Sequence, residues 1–305
     1  MILVVGPITD SVIGHLTMVM LARNVDFLIL DPRNFGSEWD VAWWIENGRV
    51  DGYVRRGPDR FALSTISAIW DHMTVLPEDV KRDREWSVRP DHLTPVTALY
   101  NTWPGIVVNR PVASSTNGSK PYQQQIIAEQ GFEPIRTLIT TEPEEARRFY
   151  EACNGQVIFK SISWQRSVVR RMTADDLTRL DHLRYCPTQF QEFIAGSDIR
   201  VHVVGNRLFA TEIEASTDDY RYVGQDGSRS MRGVELPAPI AQKCLNVSRA
   251  LGLVVSGVDL RRGVDGRYHC FEVNPTPGYI FYERHTRQRI GDAFVEFLVE
   301  AEAKA

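Results

Sequence analysis

Cysteine is scarce in this chain, and neither sign of charge is in excess. The four cysteines, Cys153, Cys186, Cys244 and Cys270, stand far apart in 305 residues and form no C-x-x-C pair. Neither a disulfide framework nor a zinc site is therefore expected, and a reducing cytoplasm is the default compartment. The 35 Lys and Arg against 39 Asp and Glu leave a net charge of −4, so no basic footprint marks the chain for nucleic acid or an anionic membrane. No apolar run reaches the roughly 18–20 residues of a membrane-spanning helix. The apolar opening, Met1–Gly6, has no basic segment before it and no small-residue cleavage site after it, and reads as a first strand. Four motifs are also missing: G-x-G-x-x-G, G-x-x-x-x-G-K-[ST], G-x-S-x-G and H-E-x-x-H. Rossmann and P-loop readings thus lack their phosphate-binding turn. No low-complexity tract and no internal repeat stands out.

What remains is an ordinary globular composition, 43% hydrophobic and 24% charged, which argues against disorder. The length suits about two domains or one chain in lobes, with a core that needs no staples. The runs Ile2–Gly6 and Phe27–Leu30 flank apolar residues at helical spacing over Ser11–Arg23. This β–α–β opening predicts a doubly wound parallel sheet. Residues 31–75 give one clear signal, the run Ile66–Trp70, and 76–119, rich in Pro, Asn, Ser and charge, read as a connection. Helices are expected at Pro121–Gln130, stopped by Gly131, at Pro143–Cys153, with Glu142, Glu144 and Glu145 at its start, and at Thr173–Leu183. Strands are expected at Gln156–Ser161 and Gln189–Ile194, then antiparallel hairpins from 196, closed by a helix from Ile290. The resulting α/β chain has three lobes: 1–112 with the parallel sheet, a small central α+β lobe over 113–193, and an antiparallel lobe over 194–305.

Chemistry concentrates in 254–275. Asp265-Gly266 is a strong two-residue hairpin signal. Taking those two as the loop sets Val264 against Arg267, Asp259 against Glu272 and Gly257 against Asn274. Asp259, Glu272 and Asn274 then share one face, with opposed Cβ atoms about 5 Å apart. Like charges so placed destabilise a ladder, whereas an all-oxygen trio suits Mg²⁺. A solvated face, where such neighbours cost little, is the plain alternative. Lys160 ends an apolar strand and suits a phosphate as a point charge, or equally a snorkelling strand end. Lys120, at a helix start, needs no function by itself. A second turn, Gly205-Asn206, sets Arg200 and His202 opposite Thr211 and Phe209; His202 reads as a packed histidine. The strand Gln189–Ile194 offers backbone groups to a planar base, and Asp198 an acceptor for ribose hydroxyls.

The order Lys120, VIFKS (157–161), QEFI (191–194), SDIRVHVVG (197–205), GVDL (257–260) and FEVNPTPG (271–278) resembles the ATP-grasp superfamily, which includes D-alanine–D-alanine ligase and the ribosomal-protein glutamate ligase. A closer resemblance is to the microviridin-type peptide macrocyclases, or graspetide synthetases. It rests on residues 120–149 and 198–221, and more faintly on Ile66–Trp70 followed by Pro77. The resemblance implies an ATP-grasp fold and residue roles by match. Lys120 and Lys160 contact nucleotide, with Ser161 beside them. Gln191, Glu192, Phe193 and Ile194 line adenine, and Asp198 binds ribose. Asp259, Glu272 and Asn274 hold Mg²⁺, as two ions, with Mn²⁺ a substitute. Arg200 and Arg221 stand near the acceptor carboxylate, where an Arg fork fits. The family's glycine-rich phosphate loop is replaced by the glycine-free SISWQRSVV (161–169), where Ser161, Ser163 and Arg166 are the available donors.

The implied activity is that of an ADP-forming, ATP- and Mg²⁺-dependent ligase. It would activate a carboxylate as acyl phosphate and join it to an amine or hydroxyl, with a precursor peptide as partner. Because the first lobe, 1–110, shares little with the macrocyclases, a ligase joining a small-molecule carboxylate and amine in natural-product biosynthesis stays open, as does a nucleotide-binding scaffold without turnover. Neither nucleic acid nor membrane is expected as a partner, and the resemblance implies a homo-oligomer.

Overall fold

A computed structural model of the chain describes residues 1–72, 93–162, 169–215 and 229–302. The first lobe opens as β1 (Ile2–Val5), α1 (Ser11–Ala22) and β2 (Phe27–Leu30). All four residues of β1 are buried, as its unbroken apolar run demands of a central parallel strand. Asp10 starts α1 by accepting the Val12 and Ile13 N–H groups at 2.7 and 3.2 Å. The chain then forms an antiparallel meander, β3 (Trp39–Glu46), β4 (Arg49–Arg56) and β5 (Asp59–Ala62). It returns through β6 (Ala68–Asp71), α2 (Thr94–Thr102) and β7 (Ile106–Val108). The main sheet runs β2-β1-β6-β7 with every pairing parallel, as the opening predicts. The meander fills the stretch that the sequence reading left nearly blank. Its turn is Asn47-Gly48, with φ of 51° and 75°, the conformation a tight hairpin requires. In the stretch read as a connection, the described part contains α2, β7 and a short helix over Pro111–Ser114.

Next come α3 (Pro111–Ser114), α4 (Lys120–Glu129), β8 (Thr137–Thr140), α5 (Pro143–Ala152), β9 (Val157–Ser161), β10 (Arg170–Arg171) and β11 (Thr188–Glu192). Between β10 and β11, Ala174–Arg184 winds as a 3₁₀ helix. This antiparallel sheet runs β10-β9-β11-β8. Val157, Phe159 and Phe190 turn to a small core with Ala146, Leu180 and Leu183. By alternation Ile158, Lys160, Gln189 and Gln191 take the opposite face, with Gln189 beside Lys160 and Gln191 beside Ile158. Helix α4 packs instead on the third lobe, where Gln123 bonds both N–H and C=O of Val273.

The third lobe holds β12 (Gly196–Val204), β13 (Arg207–Ala215), β14 (Arg229–Val234), α6 (Ala238–Ala250), β15 (Val255–Gly263), β16 (Tyr268–Asn274), α7 (Ile280–Thr286) and α8 (Ile290–Glu302). Its antiparallel sheet runs β14-β13-β12-β15-β16, as the hairpin reading requires, though α6 and α7 were not foreseen. One face buries Ile199, Val201, Val258, Leu260, Cys270 and Val273 against α4 and α6. The other presents Asp198, Arg200, His202, Gly257, Asp259 and Arg261. Lobes one and three share a core, in which Ile2, Val4, Ile13 and Leu16 meet Tyr282, Phe294 and Leu298. Buried Asn109 joins them, donating to Val255 O and Pro275 O at 2.7 and 2.6 Å and accepting from the N–H of Val254 and Val255. No helix among the described residues is long and apolar enough to cross a membrane.

Candidate active site

The β15–β16 hairpin reaches the expected pairing by an unexpected route. Its loop has three residues, Val264–Gly266, with Gly266 at φ 80°, and Gly263 N–H bonds Arg267 O at 2.8 Å. That loop pairs Arg262 with Tyr268 and Leu260 with Cys270, one step away from the two-residue prediction. The register then shifts between Leu260 and Asp259, with Phe271 as the extra residue, and Asp259 lies opposite Glu272 and Gly257 opposite Asn274. The longer loop and the bulge cancel, so the predicted pairing holds at the site itself. The bulge also lets Phe271 and Glu272 both leave the core while Cys270 and Val273 stay in it.

Each carboxylate of the pair has a cation beside it. Arg200 Nη1 donates to Asp259 Oδ1 at 2.6 Å, and Lys120 Nζ lies 3.6 Å from Glu272 Oε2. Arg200 and Lys120 are both buried, at 6% and 7% exposure. The twin bonds of Gln123 to Val273 fix α4, and hence Lys120, over β16. Asn274 Oδ1 accepts the Thr276 N–H at 3.0 Å. The donors are oxygens only, two carboxylates and an amide, which fits a hard cation of the Mg²⁺ class. Among the described residues no three His, Cys, Asp or Glu gather as a metal site, and the third oxygen donor on this face is the Asn274 amide.

Asp198 is engaged by Arg261, which forks onto both carboxylate oxygens at 2.8 Å and donates to Ile194 O at 3.1 Å. Arg261 lies 5.7 Å from each of the Phe193 and Phe271 rings, and Arg171 caps Phe193 at 3.6 Å. Glu192 accepts a fork from Arg136 at 2.9 and 3.0 Å, and that bond holds its carboxyl below the usual range. The N–H groups of Glu192 and Phe193 bond Arg136 O and Gln156 O. Gln191 donates to Thr137 Oγ1 at 3.1 Å, while the side-chain oxygens of Gln189 and Gln191 are buried without a hydrogen-bond partner. They share the face of buried Lys160, with Ser161 at the strand end.

Of the residues singled out in the sequence, Lys120, Arg200, Asp259, Glu272 and Asn274 form one cluster. Asp198, Phe193 and Ile194 join through Arg261. Lys160 and Gln191 occupy one face of the central sheet, and Glu192 turns to its Arg136 edge. Arg221, Ser163 and Arg166 lie outside the described residues. Arg261 was missed, although it follows Asp259 at the same parity. Gly257 was read only as a pairing partner, yet an added Cβ there would meet the Arg200 guanidinium at 2.2 Å. Cys244 and Cys270 belong to the core beneath this sheet, where burial pushes Cys244 up to about 12 and Cys270 well above its ordinary value.

A parallel-sheet lobe, a small antiparallel lobe and a larger antiparallel lobe carrying acids, amide and cations define the ATP-grasp architecture. Residues 118–298 match the RimK-like ATP-grasp domain, and the chain belongs to that family. A probable alpha-L-glutamate ligase of Coxiella burnetii is 37% identical over 119 residues, 37% of this chain and 38% of that protein. A beta-citrylglutamate synthase B of Homo sapiens is 31% identical over 117 residues, 35% of this chain and 29% of that protein. The chain thus matches well under half the length of either relative. Among solved structures, the ATP-grasp ligase PsnB, complexed with a phosphomimetic variant of its minimal precursor, Mg and ADP, has a TM-score of 0.83 at 23% identity, covering 98% of both chains. The macrocyclase MdnC of Microcystis aeruginosa, bound with precursor peptide MdnA, has a TM-score of 0.80 at 21% identity over 99% of this chain and 100% of that one. These likenesses show the fold, including the first lobe.

Proposed function

We propose that this protein is an ATP- and Mg²⁺-dependent ligase that activates side-chain carboxylates of a ribosomally made precursor peptide as acyl phosphates and joins them to amines or hydroxyls of the same peptide. The observation that carries the reading is the Asp259–Glu272 pair, set in register with Asn274 and flanked by buried Arg200 and Lys120. The peptide substrate is supported by the precursor-bound PsnB and MdnC, whose likeness spans the first lobe as well as the ATP-grasp domain.

In this reading Lys120 and Lys160 hold the phosphates as point charges. Mg²⁺ held by Asp259, Glu272 and Asn274 supplies charge neutralisation at the moving phosphoryl group. Arg200, which bonds Asp259 at 2.6 Å, would present its guanidinium fork to the substrate carboxylate and to the oxyanion that forms when the acyl phosphate is attacked. The aromatic walls Phe193 and Phe271 flank the base, and Arg261 fixes Asp198 at the ribose end. Positioning and electrostatics do most of this chemistry.

A second reading, the joining of a separate amino acid or small amine to a carboxylate, is favoured by the partial identity to the glutamate ligase and the citrylglutamate synthase. The test is ADP release with product masses, for acidic peptides containing Lys, Ser or Thr and for carboxylate–amine pairs. ADP with loss of one water per bond from a peptide alone supports the first reading. Turnover only with a separate amine supports the second. No ADP from any of them means a nucleotide-binding scaffold. Glu272→Ala should abolish ADP release while circular dichroism stays unchanged; unchanged turnover would sink the site assignment.

A further inference from the structure

A second set of titratable side chains gathers at the seam between the first and third lobes, outside the nucleotide face. A cavity of about 20 Å³, room for about one water, is bounded there by Asp71, His72, His202, Thr276 and Tyr279. His72 directly follows β6, is 5% exposed, and its Nε2 lies 3.5 Å from Asp10 Oδ1 at the start of α1. Burial raises the Asp10 carboxyl, but the His72 bond and charge and the Val12 and Ile13 N–H groups outweigh it, and the net shift is downward. Tyr279 OH meets His15 Nδ1 at 3.0 Å, and His15 Nε2 lies 3.3 Å from Glu283, which fixes this wall.

His202 supplies the observation that points to a ligand. Its Nε2 is 3.2 Å from Gly278 O and so carries the proton, which makes Nδ1 an acceptor. That Nδ1 is buried without a hydrogen-bond partner, in a residue 1% exposed that lines the cavity. An acceptor in such a place costs free energy until a donor arrives.

Position along the sheet says which donor. On β12, Asp198, Arg200 and His202 alternate onto one face, in steps of about 7 Å. Asp198 marks the end near Ile194, Arg200 is level with Asp259, and His202 lies one step beyond, level with Gly257. The Tyr282 ring spans that step, 5.9 Å from Arg200 Cζ and 4.8 Å from the His202 ring. An acyl phosphate held at the Arg200 level therefore has the cavity beside it, on the side away from the Asp198 end.

We propose that this seam is the acceptor subsite, where the tip of the attacking group, an amine or hydroxyl, donates to His202 Nδ1 and gives its proton to the His72–Asp10 pair. The proposal rests on the ligase reading above. The attacking nitrogen or oxygen forms its bond to the acyl carbon as its N–H or O–H breaks and the proton passes to His72. The acyl carbon–oxygen bond to phosphate breaks, and phosphate leaves with the electron pair. Asp10 stabilises the imidazolium so formed. The cavity admits only the reacting tip, so a peptide side chain and a small amine use it alike. The charged and titratable groups facing His72 are Asp10 from α1, Asp71 beside it, His202 from β12, and Tyr279 from the segment before α7.

Two variants test this, with whichever peptide or amine pair releases ADP in the assay above. Asp10→Asn keeps the cap of α1, because Asn caps as well as Asp, and removes only the charge. His72→Gln removes the base. Hydroxylamine, already neutral at pH 7.5 and in need of no base, traps acyl phosphate as hydroxamate, and mass spectrometry counts ligated product. Both variants should form hydroxamate close to the wild-type rate while ligated product falls about 100-fold. In His72→Gln the product rate should climb with pH, as the acceptor loses its own proton. Wild-type product formation in Asp10→Asn, or an equal loss of hydroxamate and product, overturns the subsite. A wild-type protein that yields no hydroxamate defeats the ligase reading, and the subsite with it.

Discussion

An added Cβ at Gly257 would stand 2.2 Å from Nη2 of Arg200 and 2.5 Å from its Cζ. The guanidinium thus uses the space a side chain would take, and Gly257→Ala must push it away from Asp259. A displacement of about 1 Å can cost two orders of magnitude in rate. Gly257→Ala should therefore lower ligation about 100-fold with little change in the unfolding temperature, read by product mass and calorimetry. His202 gives a pH dependence. Burial, helped by the charge of Arg200, pushes its pKa down to about 3, against 6.5 for a free imidazole. The folded protein keeps it neutral while the unfolded chain takes up a proton. Stability from this group is full above 6.5 and is lost as pH falls from 6.5 towards 3, by up to about 1.4 kcal/mol per pH unit. His202→Gln should flatten that slope in thermal unfolding across the interval. At this level the shared face of Glu272 and Asn274 was legible because alternation depends only on local parity, whereas Asp259 lies opposite Glu272 because two irregularities of the hairpin cancel. The forks of Arg261 on Asp198 and of Arg136 on Glu192 were not legible, since each partner lies more than fifty positions away.

The hairpins show what short-range chemistry encodes. Gly205-Asn206 gave its register outright, from Asp198 against Ile213 to Val204 against Arg207. Asp265-Gly266 gave the right pairing through two irregularities, and neither the third loop residue nor the Phe271 bulge has a signature in a single chain. Asn47-Gly48 carried an equally strong turn signal and was overlooked, because charges and tryptophans on its flanking strands obscure the alternation. Helices α6 and α7 went unread: α6 lies between two strands, β14 and β15, and α7 has only seven residues between β16 and α8. Asn109, at the end of β7, is the element-level tie between lobes. Its side chain satisfies two carbonyls and two N–H groups, at the start of β15 and just past Asn274 at the end of β16. Asn109→Ala leaves them buried and unpaired and should cost about 3 kcal/mol, seen as a lower midpoint in urea.

The lobes are unequal in what holds them. Lobes one and three share a core of aliphatic and aromatic side chains, and α1 packs against α8 across it. The central sheet has only its own small core, built from Ala146, Cys153, Val157, Met172, Leu180, Leu183 and Phe190. Its opening free energy is correspondingly low. Amide hydrogen exchange should be faster in β9 and β11 than in β12 and β15, and ATP with Mg²⁺ should slow β9 and β11 most, because a ligand bound across them stabilises the closed form. Equal protection in both sheets, or no response to nucleotide, would contradict this. The parallel opening and the later antiparallel hairpins were readable from apolar runs and turn residues. That α4 packs on the third lobe was not, because its sequence position puts it beside the second.

The two carboxylates of the candidate metal face already have counter-ions, Asp259 in Arg200 and Glu272 in Lys120. A bare divalent cation entering here must approach two positive charges, and a bare polyphosphate must approach two acids. Their complex meets neither obstacle. Its metal would suit the two carboxylates and its phosphates the two cations, so each charged group of the site would exchange one counter-charge for another. The protein's rest state is thus an internal salt whose natural exchange partner is another salt.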